Sequence, residues 1–407
     1  MKNFLDILRS RHFLAQIAHP EEFATHISEQ PRWAYAGFDP TADSLHVGNL
    51  IPIMALRRWQ QAGHNAVVLM GGATALVGDP TGKSELRQMQ NEETINSRIA
   101  KLQPQFARFL DTDPKRFRIV NNADWFKSKG YLEILSEIGT DFTVNRMLAA
   151  ECFKNRYEKG LSFLEFNYMI LQSYDFLHLS RTFGVSVQIG GDDQWSNMIG
   201  GMDLIRRKSR QQAFIATNPL LVTTSGAKMG KTEKGAIWLD AAMTSPFELF
   251  QYFRNVEDDM VAKCLLYFTD TDPAEISNMT GMRDATINQA KILLATEITK
   301  LIHGEQESLK AKEQAQNLFN GSGNKDAPEV FIEVPGDATS LSIIDIVVLA
   351  KICESKGEAR RLIEQGGLVA SGKKVTDAKM VVEVKALKKE GLLVAKGKKH
   401  FFQIRLK

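Results

Sequence analysis

The sequence predicts an α/β protein: a parallel sheet with crossover helices, then an all-helical stretch, then a small final module. Three observations carry this. From about residue 33 to 225, short apolar runs of strand length alternate with longer stretches of helical period, the pattern of a parallel sheet joined by helices. From 246 to 320 the helical period continues with no clear strand. Asn320 to Lys325 then has the Gly, Ser and Asn content of a linker, and a module of roughly 65 residues begins near Ser340. The expected domains are therefore 1–226, 227–325 and 340–407.

The strands read in order as Trp33–Phe38, Ala66–Met70, Phe117–Val120, Val185–Ile189 and Phe214–Ala216, with helices over 50–62, 92–110 and 164–180 between them. Ser245-Pro246-Phe247-Glu248 is a helix start: a capping serine, proline in the first turn, and a glutamate three residues after the cap. Asp272-Pro273-Ala274-Glu275 repeats the signal. In a parallel sheet ligands bind beyond the C-terminal strand ends, so the residues that follow each strand are the candidates for function.

The chain has 407 residues, 43% apolar, with 51 Lys and Arg against 48 Asp and Glu, a net charge of +3. That composition excludes dominant disorder, and no apolar run approaches the ~18 residues of a membrane span. The charge is uneven. Residues 351–407 hold fifteen Lys and Arg against six Asp and Glu, net +9, which leaves −6 for residues 1–350. An acidic body with a basic tail suits a nucleic-acid partner better than the average suggests. Cys152, Cys264 and Cys353 are odd in number and widely spaced, so they form neither a disulfide framework nor a zinc site. They read as buried apolar residues in a reducing compartment. The N-terminus, with Asp6 and Arg9 before any long apolar run, does not read as a secretory signal, and a cytoplasmic protein is expected.

Three segments have the chemistry of phosphate contacts. After the first strand comes Phe38-Asp39-Pro40-Thr41-Ala42-Asp43-Ser44-Leu45-His46-Val47-Gly48-Asn49, leading into a helix. Gly48 lets a flat ligand approach the backbone, and His46 and Asn49 place imidazole and amide donors at a helix N-terminus. Alone, such a string is a weak signal. Gly78-Asp79-Pro80-Thr81-Gly82-Lys83-Ser84 superficially resembles an ATPase phosphate loop but is one residue short, and Asp79 would repel phosphate. Lys83 and Arg87 remain able to reach a pyrophosphate. Lys228-Met229-Gly230-Lys231-Thr232 puts two lysines on a glycine-containing loop, which suits a triphosphate and also occurs on ordinary surfaces.

The apolar helix Phe163–Phe183 is interrupted by Tyr168, Gln172 and Asp175, at offsets that share one face. Either this stripe faces water or it lines a polar pocket. Tyr174, His178 and Ser180 argue for some solvent side. Val187-Gln188-Ile189-Gly190-Gly191-Asp192-Asp193-Gln194-Trp195 then ends a strand in two glycines and two acids, where ribose hydroxyls are bound in such sheets.

Together these residues resemble the bacterial-type tyrosyl-tRNA synthetases, class I aminoacyl-tRNA synthetases, over nearly the whole chain. Leu45-His46-Val47-Gly48-Asn49 resembles the family's HIGH segment and Lys228–Thr232 its KMSKS loop. The most specific evidence is the ordered set Gly37–Thr41, Gly71–Thr74, Gly78–Pro80, Tyr168-x-x-x-Gln172-x-x-Asp175 and Gln188–Trp195. Two departures stand out: Asn49 replaces the second histidine of HIGH, and Gly230 and Thr232 replace both serines of KMSKS.

The resemblance implies a Rossmann-like catalytic domain, an α-helical anticodon-side domain and a small α+β RNA-binding domain. It implies activation of L-tyrosine by ATP and transfer to tRNA(Tyr), by a homodimer. Tyr35 and Asp175 would bind the substrate's phenolic hydroxyl. Asp79, Tyr168 and Gln172 would hold its ammonium, with Gln188 and Gln194 shaping that pocket. Asp39, Gly48, Gly191 and Asp193 would contact the adenylate. Thr41, His46 and Asn49 would stabilise the phosphates, and Lys83, Arg87, Lys228, Lys231 and Thr232 would close over pyrophosphate. Magnesium would arrive with ATP, with no protein-bound metal and no membrane partner.

In the last module, Ser355–Val369 and Gly372–Val375 resemble a small RNA-binding domain shared with a ribosomal protein, in which Arg360, Arg361, Lys373 and Lys374 would contact RNA. A tryptophanyl enzyme is disfavoured by Tyr35, Asp175 and this module, and a silent RNA-binding paralogue by the complete set of site residues.

Overall fold

The computed structural model describes residues 3–81, 90–153, 160–223, 226, 229–232, 235–281, 286–319, 328–334, 338–371, 373–397 and 400–406. Two compact units are present, Met1–Ser308 and Leu309–Lys407.

The first unit is organised by five strands: β1 (Trp33–Phe38), β2 (Asn65–Met70), β3 (Phe117–Asn121), β4 (Val185–Gly191) and β5 (Phe214–Asn218). They form one parallel sheet in the order β3-β2-β1-β4-β5. The apolar runs in the sequence thus mark the strands to within two residues at each end. Near-continuous apolar character follows from burial on both faces: Ala34, Tyr35 and Ala36 of β1 are at most 1% exposed. The strand order reverses direction between β1 and β4. At that switch the crossovers go to opposite sides and leave a crevice beyond the strand ends.

The helix Leu50–Gln61 starts at the rim of this crevice and packs against β1, β2 and β4. Its Trp59 meets Phe4 edge-on at 4.8 Å and stacks on His64 at 4.1 Å. The helices Pro246–Arg254, Asp258–Phe268, Pro273–Thr280 and Thr286–His303 belong to the same compact unit as the sheet. Both helix starts read from the sequence are real caps. Ser245 Oγ accepts from Glu248 N and Asp272 Oδ1 from Ala274 N.

One polar cluster fastens these helices to the sheet. The Asp258–Phe268 helix ends in carbonyls with no partner along the chain, and cations suit such an end. Arg11 donates to the carbonyls of Leu266, Thr269 and Thr271, and Arg58 donates to that of Thr269. Arg58 and Arg57 also pair with Asp270. Burial alone would raise the Asp270 carboxyl, but the two guanidinium groups outweigh it and hold it well below the usual carboxylate range.

The second unit contains β8 (Glu329–Ile332), β9 (Ser340–Ser342), β10 (Leu368–Ala370), β11 (Lys373–Lys374), β12 (Val381–Glu383), β13 (Leu392–Lys396) and β14 (His400–Leu406). The main sheet runs β11-β10-β13-β14-β8, antiparallel except for β14 with β8. It therefore recruits a strand ahead of the start near Ser340 read from the sequence. Ile343, Val347, Ile363, Leu368, Val394 and Ile404 form its core.

The three cysteines are free and buried. Among the described residues, no helix is long and apolar enough to cross a membrane.

Asp270→Ala should strand the Arg58 guanidinium, whose side chain is 2% exposed. Because the Asp270 side is half-exposed, the expected loss is about 2 kcal/mol, below the usual cost of breaking a fully buried pair. Urea denaturation of variant and parent checks it, and an unchanged midpoint would show the cluster to be dispensable.

Candidate active site

A cavity of about 350 Å³ opens at the C-terminal ends of β1 and β4, where the strand order reverses. β1 contributes Tyr35, and the turn after it contributes Asp39 and Thr41. β4 contributes Gln188, followed by Gly191, Asp193 and Gln194. The helix Tyr168–Phe183 lays Tyr168, Gln172 and Asp175 along one wall, so the polar stripe faces a pocket. Tyr174, read from the sequence as part of a wet side, is instead 2% exposed and packs on Phe126 at 5.6 Å. His178 stacks on Trp125 at 4.3 Å.

The deep end of the cavity is polar and buried. Asp175 is 2% exposed. Its Oδ1 accepts from Trp125 Nε1 at 2.9 Å and its Oδ2 from Asn122 Nδ2 at 3.0 Å. Burial pushes this carboxyl up to about 8, the two donors pull the other way, and the charge of Asp39 adds to the rise. Tyr35 is 1% exposed, and its hydroxyl has no hydrogen-bond partner. Burial, and then Asp175, hold that phenol well above its ordinary range. Gln188 Oε1 is likewise buried without a partner. Unsatisfied buried polar atoms are costly and rare; two in one cavity mark a place where a polar ligand group completes the bonding.

Nearer the mouth, Asp39 is held by Thr74 Oγ1 at 2.9 Å and by the Tyr168 hydroxyl at 3.2 Å. Gly71 makes this possible, since a Cβ there would lie 2.0 Å from Asp39 Oδ1. Asp79 accepts from Thr81 N and from Gln194 Nε2, both at 2.9 Å. Four carboxyl groups, those of Asp39, Asp79, Asp175 and Asp193, thus line one cavity. They favour a ligand that brings a cation and hydroxyl donors.

His46, Gly48 and Asn49 line the same cavity from the rim. Asn49 Oδ1 accepts from His46 N at 2.9 Å, so this carboxamide caps the turn and leaves its amide protons for other partners. A Cβ on Gly48 would come 2.8 Å from the His46 ring, so the glycine makes room for the imidazole.

The cavity therefore gathers Tyr35, Asp39, Thr41, His46, Gly48 and Asn49 with Asp79, Tyr168, Gln172, Asp175, Gln188, Gly191, Asp193 and Gln194. Lys231 and Thr232 form β6, a two-residue strand paired with β7 (Gly235–Ala236). Lys83, Arg87 and Lys228 lie outside the described residues. Sequence reasoning missed Asn122, Trp125 and the part played by Thr74. Asn122 directly follows a strand, the position that marked the other candidates.

In the second unit, Arg360 and Arg361 lie on the helix Lys356–Glu364 and Lys373 and Lys374 form β11; all four are exposed. Gly366, in the left-handed region at φ 67°, lets the Lys374 side chain lie over it.

Residues 28–320 match the family model described as tRNA synthetases class I (W and Y), and the chain belongs to that family of enzymes. Residues 321–404 match the model of the tyrosine–tRNA ligase SYY-like C-terminal domain. The chain is 48% identical over 405 residues to a protein of Clostridium acetobutylicum named tyrosine–tRNA ligase 1, covering 99% of each. It is 47% identical over 404 residues to a tyrosine–tRNA ligase of Caldanaerobacter subterraneus, again covering 99% of each. Among solved structures, a C-terminally truncated mitochondrial tyrosyl-tRNA synthetase of Aspergillus nidulans superposes with a TM-score of 0.70 at 30% identity, covering 78% of this chain and 95% of that one.

The Asp175 carboxyl predicts a signed pH effect. Its folded value of about 8 lies above the unfolded value of about 3.9. Its contribution to stability is full below pH ~4 and is lost as pH rises through about 8. Asp175→Asn cannot ionise. The melting temperature of the variant minus that of the parent should therefore climb between pH 5 and 8.5 in a scanning-fluorimetry series; a difference that stays flat over this range would show the carboxyl to be ionised in the folded chain already at pH 5.

Proposed function

We propose that the protein is a tyrosine–tRNA ligase that first joins L-tyrosine to ATP as tyrosyl-adenylate, releasing pyrophosphate, and then transfers tyrosine to the 3′-terminal adenosine of tRNA(Tyr). The observation that carries the choice of amino acid is the buried polar end of the cavity, with the unpartnered Tyr35 hydroxyl and the pinned Asp175 carboxyl. A phenol seated there satisfies both. Phenylalanine leaves the buried Tyr35 hydroxyl without a partner and brings Asp175 no hydroxyl, and such a site rejects it because a buried polar group then lacks its bond; the tyrosine enzymes are themselves the standard illustration of this rule.

The chemistry of activation asks little of a base. The tyrosine carboxylate is already ionised at neutral pH, so the step needs in-line placement and donors for charge developing on the α-phosphate and the leaving pyrophosphate. Asp79, Tyr168 and Gln172 are assigned the ammonium. Asp39, Gly191 and Asp193 are assigned the adenylate. His46, Asn49 and Thr41 are assigned the phosphates, with Lys83, Arg87, Lys228, Lys231 and Thr232 as the loop groups over pyrophosphate. Magnesium is assigned to ATP, held by phosphate oxygens and water.

The basic second unit is assigned to tRNA, with Arg360, Arg361, Lys373 and Lys374 on the RNA backbone. A homodimer is supported by an apolar surface on the first unit. Leu132 is 77% exposed, Phe163 73% and Tyr131 51%, and the Tyr131 hydroxyl reaches Asn167 beside the Phe163 helix. Clusters of this kind mark interaction surfaces. The cytoplasm, with its ATP and tRNA, is the assigned location.

Pyrophosphate should exchange into ATP only when tyrosine is present; equal exchange with phenylalanine or tryptophan would overturn the assignment. Asp175→Ala should narrow the ratio of tyrosine to phenylalanine activation rates. A chain ending at residue 320 should keep tyrosine activation but lose most tRNA charging, and the salt dependence of tRNA binding should flatten with it. Phe163→Asp should shift the solution mass measured by light scattering toward one chain.

A further inference from the structure

The segment Met229–Thr232 is fastened to the helical part of its unit at two adjacent residues. The Gly230 amide donates to the Tyr252 hydroxyl at 2.8 Å. Met229, which lines the active-site cavity and is 6% exposed, meets the Cys264 sulfur at 3.7 Å. Tyr252 lies on the helix Pro246–Arg254 and Cys264 on the helix Asp258–Phe268. On its other side the same glycine touches the rim of the cavity. Gly230 has φ 88°, and a Cβ there would lie 2.9 Å from Val47 Cβ and 3.4 Å from Gly48 N. Its carbonyl accepts from Ile237 N at 2.8 Å, while Val47 N donates to the Ile237 carbonyl at 3.0 Å. One glycine is thus clamped between Tyr252 and the turn that carries His46, immediately before Lys231 and Thr232.

We propose that Tyr252 is a positioning residue for tyrosine activation. Its hydroxyl, by accepting from the Gly230 amide, holds the Met229–Thr232 segment against the His46 turn and so sets where Lys231 and Thr232 stand relative to the phosphates. This rests on the reading of the protein as a tyrosine–tRNA ligase. The geometry fits the purpose. Gly230 is buried, so its N–H needs an acceptor. A phenol reaching in from a neighbouring helix supplies the acceptor at a fixed place. Tyr252 is half-buried and kept neutral, since burial pushes its phenol up to about 12. Its ring is braced edge-on by Phe253 at 5.1 Å. The clamp also accounts for glycine at position 230, where the left-handed φ and the nearness of Val47 each exclude a larger residue.

Tyr252→Phe removes only the hydroxyl. The expected result is an activation rate at saturating tyrosine and ATP lowered about fivefold, the weight of one neutral hydrogen bond. The tyrosine dissociation constant, measured by equilibrium dialysis, should stay within a factor of two, because the tyrosine end of the cavity is untouched. Gly230→Ala should lower the rate as well, and the double variant should lose less than the product of the two single losses, since both act on one contact. The proposal is overturned if Tyr252→Phe keeps the parental rate, if its loss disappears on correction for the folded fraction in active-site titration, or if tyrosine affinity falls as much as the rate. Absence of tyrosine-dependent pyrophosphate exchange in the parent protein would instead overturn the ligase reading itself.

Discussion

The site depends on one side chain, Asn122, which is 0% exposed. Its Oδ1 accepts from Ala73 N at 2.7 Å, and its Nδ2 donates to Thr74 Oγ1 and to Asp175 Oδ2, each at 3.0 Å. Its own backbone amide donates to the Met70 carbonyl at 3.0 Å. The residue after β3 therefore ties down the turn after β2 and the carboxyl on the Tyr168–Phe183 helix together. In a dry interior such a bond is strong when made and costly when missing. Thr74 passes the constraint on to Asp39, and Asp39 to Tyr168. One connected chain of polar contacts thus joins the phenol end of the cavity to its mouth.

The Arg58–Asp270 cluster and the Tyr252–Gly230 contact extend this order away from the sheet. The helix Leu50–Gln61 begins at the His46 turn and carries Arg58 near its far end, where it grips Thr269 and Asp270. The helix ending there carries Cys264 against Met229. Two rigid helices therefore connect the two signature segments, one through its N-terminus and one through its side. The signature segments touch at Gly230 and Val47, and that contact is set by the packing of elements almost 200 residues apart in the chain.

The sheet and its ligand face were legible from the sequence because the inner strands are largely buried and each strand reads as a short, mostly apolar run closed by glycine or a polar residue. For the same reason Asp193, in the run that closes β4, could be picked out by position, whereas Tyr35, Asp39 and Gln188 were assigned only through the family resemblance. The stripe of Tyr168, Gln172 and Asp175 was legible as a face, but helical period could not say whether that face met water or a cavity. Tyr174 misled because an aromatic with a polar tip is at home in either setting. The parts of Asn122 and Trp125 were not legible. They contact Asp175 from about 50 residues away, and no local period records a partner at that distance.

What the sequence determined by itself was the alternation of strands and helices, the polar residues placed after strand ends, and the division into an acidic body and a basic tail. These are local quantities: burial imposes period, and charge adds. The tertiary structure alone decided which polar atoms are left without partners, which carboxyl is pushed up by burial, and which glycines are crowded. Gly48, Gly71 and Gly230 look alike in a string of letters. One makes room for an imidazole, one for a carboxylate and a threonine, and one for Val47 in the His46 turn, because each is approached by a neighbour that the fold brings near.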